Sequence, residues 1–571
     1  MRKQGSLALI LGALAAWSAG CVEPDAEAGP PAPTPAARAA PPARVVIVLF
    51  DQMVPAYADA FDMPNFRRLR DAGTSFERAY LGYMASETVI AHNVITSGLA
   101  PNHMGWVDEA WRDTTNLLGK GTDMMHLPGS WGLAEFDTVI SAAGYPKLAD
   151  YLHAARPGTS FIVVGEKSYA VDSAVQPSGD IAVRMSGRQA TEPCRTILGG
   201  RFRGPSGKNV PAYIDGGGAA ACGRFFINSD PANDYGTRAA FPSWIYAGDG
   251  NRMVPGTDAA HLGGDVWVAD AAIAMMQREA WSGMFITLGG IDKAGHMWGA
   301  QRDDGVYDCA TGAGQTHVRC AAAIADQQLG RILAQIAAVD AAQGGETLVV
   351  LTADHGATWG ATFAGKPTLG ASTGNWYYGP AGLYDGTTYV PPGDATYSNP
   401  SPSLAPLLAT GNIQFSYQSS ALEAWLIDRS PARLVEAATA GLTLPGASAA
   451  YYREAGRYRL HGTTPMAPAE AMWWRQHGQE IVDTLAAANG PDLVVLMHDE
   501  VTYGAYGDHG GATESVQRVP MVFWSPSLAA GDARGQPFRT IDVMPTVLRA
   551  MGIPLTAPVD GDAVPLGRRD D

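Results

Sequence analysis

Short runs of apolar residues alternate with helix-like segments along most of the chain, and this alternation constrains the fold more than any other feature. Each run is rich in Val, Ile, Leu and Phe and is followed by a polar or glycine-containing loop and a segment with helical period. Such runs are typical of parallel strands buried on both faces. The sequence therefore predicts an α/β fold, with a core sheet flanked by helices. The predicted strands are 44–50, 161–165, 284–289, 347–352, 493–497 and 520–524, and the predicted helices are 63–72, 265–278, 321–338 and 541–551.

Two long stretches do not follow this alternation. Residues from about 170 to 260 and from about 357 to 490 are rich in Gly, Pro, Ser, Tyr and Trp, and the second contains helical pieces of its own. Loops of this length without structure are uncommon in folded domains. We therefore predict that both are insertions that form cap regions over the sheet, within one domain spanning residues 44–571.

The N-terminus has the order of charge, apolar core and small residues that is typical of an export signal. Arg2 and Lys3 precede an apolar run that is too short to span a membrane, and a Ser-Ala-Gly stretch leads to Cys21. This pattern predicts a signal over residues 1–21 of the lipoprotein type, with lipidation at Cys21; ordinary secretion is the alternative. Residues 22–43 are rich in Pro and Ala and predict a linker. We expect an exported protein, periplasmic or anchored to the outer membrane of a bacterium.

Apart from Cys21, the chain has four cysteines, and an even number in an exported protein suggests two disulfides. Proximity in sequence favours pairing Cys194 with Cys222 and Cys309 with Cys320, out of three pairings. A zinc site built from cysteines is the other interpretation, but the chain lacks the usual Cys-x-x-Cys spacing.

Acids and histidines follow several of the predicted strands. In open α/β sheets ligands bind beyond the carboxyl ends of the strands, so these positions are the first place to look for a site. Read singly, each could be a turn residue, but turn residues have no reason to collect at one edge of a sheet. The set consists of Asp51, Asp292, His296, Asp354, His355 and His509.

Three carboxylates at one sheet edge would repel one another unless cations lie between them. Oxygen and imidazole ligands without thiolate favour Zn²⁺, with Mn²⁺ or Fe as alternatives. The formal net charge of the chain is −16, so we expect no nucleic-acid partner, and an anionic substrate requires a local positive centre. Two divalent ions would supply that centre for an anionic substrate.

These motifs resemble the alkaline phosphatase superfamily, most closely its threonine-nucleophile branch of nucleotide pyrophosphatase/phosphodiesterases and related bacterial alkaline phosphatases. The resemblance covers residues 44–165, 264–356 and 491–555. It implies a first zinc site (site 1) and a second zinc site (site 2) at the edge of the core sheet. The implied ligands are Asp292, His296 and His509 for site 1, and Asp51, Thr88, Asp354 and His355 for site 2.

The resemblance also implies that Thr88 is the nucleophile. Thr88 begins a segment of helical period that ends at Gly98, which places its hydroxyl at a helix N-terminus, where anions bind favourably. A threonine hydroxyl is a poor nucleophile until a metal lowers its pKa, and Asp51 would help to hold that metal. We predict that Ser86 caps this helix and that His92 is a packed histidine of the helix.

The chain departs from the family pattern where phosphate oxygens are bound. Glu109 and Tyr169 stand where related monoesterases have Asn and Arg, and Ala91 stands where the diesterases have Asn; Lys167 matches a family lysine. We predict a phosphate contact for Lys167 and substrate contacts for Glu109 and Tyr169. A glutamate beside the phosphate repels a dianionic monoester more than a monoanionic diester.

The sequence thus predicts an exported, two-zinc phosphoric ester hydrolase that works through a phosphothreonine intermediate and favours phosphodiester or pyrophosphate substrates. An alkaline phosphomonoesterase or a phosphonate hydrolase is the alternative with the same chemistry. The alternative of another class is a non-catalytic surface lipoprotein that retains only the fold. The sequence predicts no oligomeric state.

Overall fold

A central mixed sheet, covered by helices on both faces, carries the predicted site in the computed structural model. The structure describes residues 40–184, 264–298, 300, 317–358, 376–378, 383–384, 389–390, 402–503, 507–531, 533 and 535–569. The strands are β1 Arg44–Phe50, β2 Thr74–Ser75, β3 Arg78–Tyr80, β4 Trp111–Asp113, β5 Met124–His126, β6 Ser160–Gly165, β7 Ile181–Arg184, β8 Trp281–Leu288, β9 Thr347–Thr352, β10 Trp376–Tyr378, β11 Leu383–Tyr384, β12 Tyr389–Val390, β13 Ile413–Gln418, β14 Ala421–Leu426, β15 Ala447–Glu454, β16 Arg457–Thr463, β17 Leu493–Met497, β18 Met521–Trp524 and β19 Pro537–Arg539.

Helices pack on both faces of the central sheet. They are α1 Tyr57–Ala60, α2 Pro64–Ala72, α3 Thr88–Ser97, α4 Leu133–Ala143, α5 Leu148–Ala155, α6 Ser168–Val175, α7 Gly264–Arg278, α8 Gly290–Trp298, α9 His317–Gln343, α10 Ala405–Leu408, α11 Pro431–Leu442, α12 Pro468–Trp473, α13 Gln479–Asp483, α14 Glu514–Gln517 and α15 Val543–Ala550. Among the helices that the structure describes, none has the length and apolar character needed to cross a membrane.

The central sheet has seven strands in the order β2-β18-β9-β1-β8-β6-β7. The five strands from β9 to β7 are parallel, which confirms the α/β prediction. Along β1, Val46, Val48 and Phe50 join one apolar cluster, while Val45, Ile47 and Leu49 join another on the opposite face. Helices α2, α7 and α9 contribute to the first cluster, and α5, α6 and α15 to the second. Burial on both faces explains why β1 is a continuous apolar run.

A second sheet of six strands has the order β10-β13-β14-β17-β15-β16. Its strand β17 pairs antiparallel with both β14 and β15. The expectation that this segment is a parallel strand of the core was therefore wrong. A short apolar run buried on both faces has the same pattern in either sheet, so periodicity does not distinguish the two positions.

Two further sequence expectations need correction. Strand β18 does lie in the central sheet, but it is antiparallel to β9 instead of parallel. Strand β7 pairs parallel with β6 and so extends the central sheet. The first insertion therefore cannot begin as early as residue 170, since the chain through Arg184 still belongs to the core. Smaller sheets with the orders β12-β11-β5-β4 and β19-β3 complete the described strands.

Candidate active site and metal centre

The carboxyl ends of four neighbouring strands, β9, β1, β8 and β6, converge on one edge of the central sheet. Asp51 directly follows β1, and Asp354 and His355 lie just beyond β9. Asp292 lies in the first turn of α8, shortly after β8, and Lys167 follows β6 by two residues. Parallel neighbours end at the same edge, which explains how residues far apart in sequence meet there.

His509 reaches the same edge from the opposite direction. Because β18 runs antiparallel to β9, its first residue, Met521, pairs with Thr352 at the end of β9. The loop that carries His509 precedes β18 and therefore lies beside the other groups. Gly510 has φ of +80°, and a Cβ there would lie 2.3 Å from Glu87 Oε1, so the loop passes this carboxyl closely only because the residue is glycine.

These side chains form two groups that could each hold a metal ion. Asp292, His355 and His509 form one group, and Asp51, Asp354 and His355 form the other; within each group the ligand atoms lie within 4.8 Å of one another. All five residues are buried. The structure thus brings site-1 and site-2 residues together, with His355 common to both groups.

The two histidine rings are oriented as metal ligands usually are. His355 Nδ1 lies 3.0 Å from the Gly356 carbonyl oxygen, which can only accept, so Nδ1 carries the proton and Nε2 keeps its lone pair. His509 Nδ1 lies 2.7 Å from Glu87 Oε2, which leaves His509 Nε2 facing Asp292 Oδ1 at 3.7 Å. A ligating histidine typically donates its other N–H to a carboxylate or a carbonyl in this way.

The buried carboxylates also fit a cation. Burial, followed by the negative charges of Asp292 and Asp354, raises the pKa of the Asp51 carboxyl well above its usual range. Burial raises the pKa of Asp354 to about 7, against the opposing charge of Lys167. Among the described residues, no hydrogen bond reaches Asp51 Oδ1 or Asp354 Oδ2. Divalent cations would stabilise the charged forms of these carboxylates and would be coordinated by the two oxygens.

Thr88 is the first residue of α3, and its side chain contacts both a histidine of the metal groups and Lys167. Its Oγ1 is 3.3 Å from His355 Nε2 and accepts a hydrogen bond of 3.0 Å from Lys167 Nζ. The helix ends at Gly98 with φ of +68°, as the sequence predicts. The expectation that Ser86 caps the helix was wrong, because Glu87 is the N-cap residue and Ser86 Oγ donates to the Gly511 carbonyl.

Lys167 supplies positive charge at the centre of the acidic cluster. Its ammonium lies 2.8 Å from Asp51 Oδ2 and 2.7 Å from Asp292 Oδ2. Although burial alone opposes the charged form, these carboxylates hold the pKa of Lys167 well above its usual range. The ammonium therefore bridges two carboxylates of the metal groups and the Thr88 hydroxyl.

Glu109 and Tyr169 lie close enough to this cluster to respond to its charges. Burial, followed by the negative charge of Glu87, raises the pKa of Glu109 to about 8, while His509 and Lys167 oppose the shift. Burial raises the pKa of the Tyr169 phenol above its ordinary value, against the charge of Lys167. His92 is buried, with ring nitrogens 2.7 Å from the Thr88 carbonyl and from Thr287 Oγ1, so it packs between α3 and β8, as a packed helix histidine would.

Three residues at the site were missed by sequence reasoning. Glu87 contacts His509 and accepts a 3.0 Å hydrogen bond from Tyr417 on β13. Gln52 contacts two of the candidate ligands, Asp354 and Asp292. The position of Glu87 directly before the predicted nucleophile Thr88 could have indicated that Glu87 lies at the site. No sequence pattern indicated that Tyr417 reaches the site, because β13 belongs to a stretch that was predicted to form a cap.

Some predicted residues fall outside the described part of the chain. The backbone of His296 belongs to α8, but its side chain is not among those described. Cys21, Cys194, Cys222 and Cys309 also lie outside the described residues. Cys320, on α9, is disulfide-bonded.

Comparisons with known proteins agree with this geometry. The model of the type I phosphodiesterase/nucleotide pyrophosphatase family matches residues 45–363, more than half of the chain. Among solved structures, a quadruple variant of the alkaline phosphatase PafA is 17% identical with a TM-score of 0.59, and the wild type is 16% identical with a TM-score of 0.55. Each alignment covers 91% of this chain and 97% of the PafA chain, and at such identity it shows a shared fold.

A search of curated protein sequences returned no match. The family match favours an enzyme over the non-catalytic lipoprotein alternative, since the matched residues include Asp51, Asp292 and Asp354. The chain therefore belongs to the type I phosphodiesterase/nucleotide pyrophosphatase family of the alkaline phosphatase superfamily, and it is a hydrolase that acts on phosphoric ester bonds.

Proposed function

We propose that this hydrolase acts through a phosphothreonine intermediate at Thr88, with two zinc ions held by the site-1 and site-2 residues and with Mn or Fe as alternative metals. One observation carries the proposal: Thr88 Oγ1, at a helix N-terminus, lies 3.0 Å from Lys167 Nζ and 3.3 Å from His355 Nε2. The hydroxyl is thus adjacent both to a cation that can bind phosphate and to the metal groups.

The roles of the residues follow from this placement. Free N–H groups in the first turn of α3 and the Lys167 ammonium bind the non-bridging phosphoryl oxygens. Thr88 Oγ1 attacks phosphorus as the bond to the leaving alcohol breaks, and water then cleaves the bond from phosphorus to Thr88. Zinc, when bound by these residues, would lower the pKa of the Thr88 hydroxyl and stabilise charge on the leaving oxygen.

Trapping the intermediate tests the proposal directly. The zinc-loaded enzyme would be mixed with excess nitrophenyl phosphate diester and quenched in acid within one turnover, and its peptides would be analysed by mass spectrometry. We expect a phosphoryl group, still esterified to the second alcohol, on the peptide that contains Thr88. A burst of product with Thr88 unmodified would contradict the proposal.

We further propose that the enzyme favours phosphodiester or pyrophosphate bonds over phosphomonoesters. Glu109 supports this preference, because its carboxylate form adds negative charge beside a site that already contains Glu87 and Asp108. Tyr169 offers one neutral hydroxyl where a guanidinium would offer paired charged donors. An alkaline phosphomonoesterase or a phosphonate hydrolase is the alternative, supported by the contact of Lys167 with Thr88.

The ionisation of Glu109 predicts how this preference changes with pH. The carboxyl is neutral below its pKa of about 8 and negative above it. Raising the pH through 8 should therefore lower kcat/KM for a dianionic nitrophenyl monoester about tenfold more than for the monoanionic diester, the effect of an extra charge interaction of about 1.4 kcal/mol.

Glu109→Gln provides the comparison, since it removes the ionisation and keeps the shape. The groups that act on Glu109 are Glu87, Asp108, His509 and Lys167, and all of them remain in this variant. We expect its monoester and diester pH profiles to become parallel above pH 8, whereas the surface control Glu77→Gln should behave as the unchanged protein. Identical profiles for Glu109→Gln and the unchanged protein would contradict the role of Glu109.

Export and anchoring are also proposals. The charged and apolar order of residues 1–21 supports an exported protein, and Cys21 at the end of the small-residue stretch supports a lipid anchor. The unchanged protein should then sediment with membranes and Cys21→Ala should not. If Cys21→Ala sedimented with membranes to the same extent as the unchanged protein, the proposal of a lipid anchor at Cys21 would be contradicted.

A further inference from the structure

We propose that Gln52 is a positioning residue for the metal centre: its side chain orients the site-1 ligands and its backbone N–H orients a site-2 ligand. This inference rests on the metal binding in the proposed function. Gln52 directly follows the ligand Asp51 at the end of β1 and is fully buried.

The backbone of Gln52 has an unusual conformation for its residue type. Its φ is +62°, in the left-handed region that favours glycine, and a side chain there is strained. Residues held in this way cluster at functional sites, where the surrounding contacts compensate for the strain. In this conformation Gln52 hydrogen-bonds to residues of both metal groups.

Gln52 donates hydrogen bonds to both metal groups. Its backbone N–H donates to Asp354 Oδ1 at 3.1 Å, and Asp354 belongs to site 2. Its side-chain Nε2 donates to Asp292 Oδ1 at 3.3 Å, and Asp292 belongs to site 1. The same Nε2 donates to the Gly507 carbonyl at 2.6 Å, two residues before His509. The amide thus ties together the two segments that carry Asp292 and His509.

The surrounding backbone leaves room for this amide. A Cβ at Gly295, on α8, would lie 1.9 Å from Gln52 Oε1, so a larger residue at this position would displace the Gln52 amide. A Cβ at Gly507 would lie 2.5 Å from the Gly295 carbonyl oxygen, so α8 and the His509 loop pack backbone against backbone next to Gln52. The side chain therefore lies where these two segments meet.

Hydrogen bonds to metal ligands restrict the rotation of those ligands, and losing one typically weakens metal binding about 10- to 100-fold. In Gln52 the two donors can be separated by one substitution. Gln52→Gly removes the amide, keeps the N–H that donates to Asp354, and suits a positive φ. A positioning role predicts a loss confined to site 1, whereas a general structural role predicts weaker binding at both sites.

The experiment measures zinc affinity by competition with a chromophoric chelator, without reference to activity. We expect Gln52→Gly to bind one zinc as tightly as the unchanged protein and the other about 10- to 100-fold more weakly. The site is identified by repeating the substitution in His509→Ala, which retains only the complete site-2 group. There, Gln52→Gly should leave zinc affinity unchanged. Asn116→Gly, at another non-glycine residue with positive φ (58°) in a surface turn, is the matched control and should retain both affinities.

Three other outcomes would be decisive. Unchanged affinity at both sites in Gln52→Gly would overturn the inference, and so would weaker site-2 binding in the His509→Ala background. If the unchanged protein bound no zinc, manganese or iron, the metal part of the proposed function would fail, and the inference would fail with it. Metal binding by the unchanged protein thus separates failure of the proposed function from failure of the inference.

Discussion

Thr88→Ala should lower kcat for a nitrophenyl phosphate diester by on the order of 10⁴- to 10⁶-fold, the range seen when single residues of a covalent catalytic triad are removed. The substitution removes the Oγ1 that Lys167 and His355 contact. Thr88→Ser keeps a hydroxyl and should retain much of the activity. Rates are measured on zinc-loaded protein, with zinc content determined for each variant.

The matched control lies in the same helix. Thr96 is also a buried threonine of α3, but its hydroxyl donates to the His92 carbonyl at 2.8 Å and faces no metal group. Thr96→Ala should therefore retain activity close to that of the unchanged protein. If Thr88→Ala kept both its zinc and its activity, Thr88 would not be the nucleophile.

His355→Ala should cause a larger loss of zinc than any substitution that affects one group alone. His355 contributes a nitrogen to both candidate groups, whereas His509 contributes to one. Starting from about two ions per chain, we expect fewer than one in His355→Ala and about one in His509→Ala. Elemental analysis after gel filtration gives these values, and activity should fall with them.

His498→Ala is the control for this series. His498 is partly buried and is paired with Glu470 at 2.8 Å, and it belongs to neither metal group. This variant should retain the zinc content of the unchanged protein. Full zinc content in His355→Ala would contradict a ligand role for His355.

Much of the fold and of the site was predictable because both depend on where strands end. The apolar run before Asp51 and the one before Asp354 mark β1 and β9, and parallel neighbours place their ends together. The same reasoning predicted that Asp292 would meet them. Neither step requires the order of the strands to be known, since any set of parallel strands in one sheet ends at the same edge.

The remainder depends on tertiary contacts that leave no local pattern. The pattern of β17 does not indicate which sheet contains the strand, and β13 brings Tyr417 to Glu87 from a stretch with no recognisable motif. Gln52 looks like an ordinary polar residue after a strand. Its importance lies in a positive φ and in hydrogen bonds to residues more than two hundred positions away, which only coordinates reveal.

The antiparallel strand β18 also affects how a growing chain reaches its folded form. Synthesis proceeds from the N-terminus, so Asp51, Asp354 and His355 are all present before His509 and β18 emerge. Until β18 pairs with β9, the hydrogen-bonding groups along that side of β9 have no permanent partner. The nascent protein therefore passes through an interval in which every residue of one candidate metal group has been synthesised while the edge of β9 is still open to pairing with another chain.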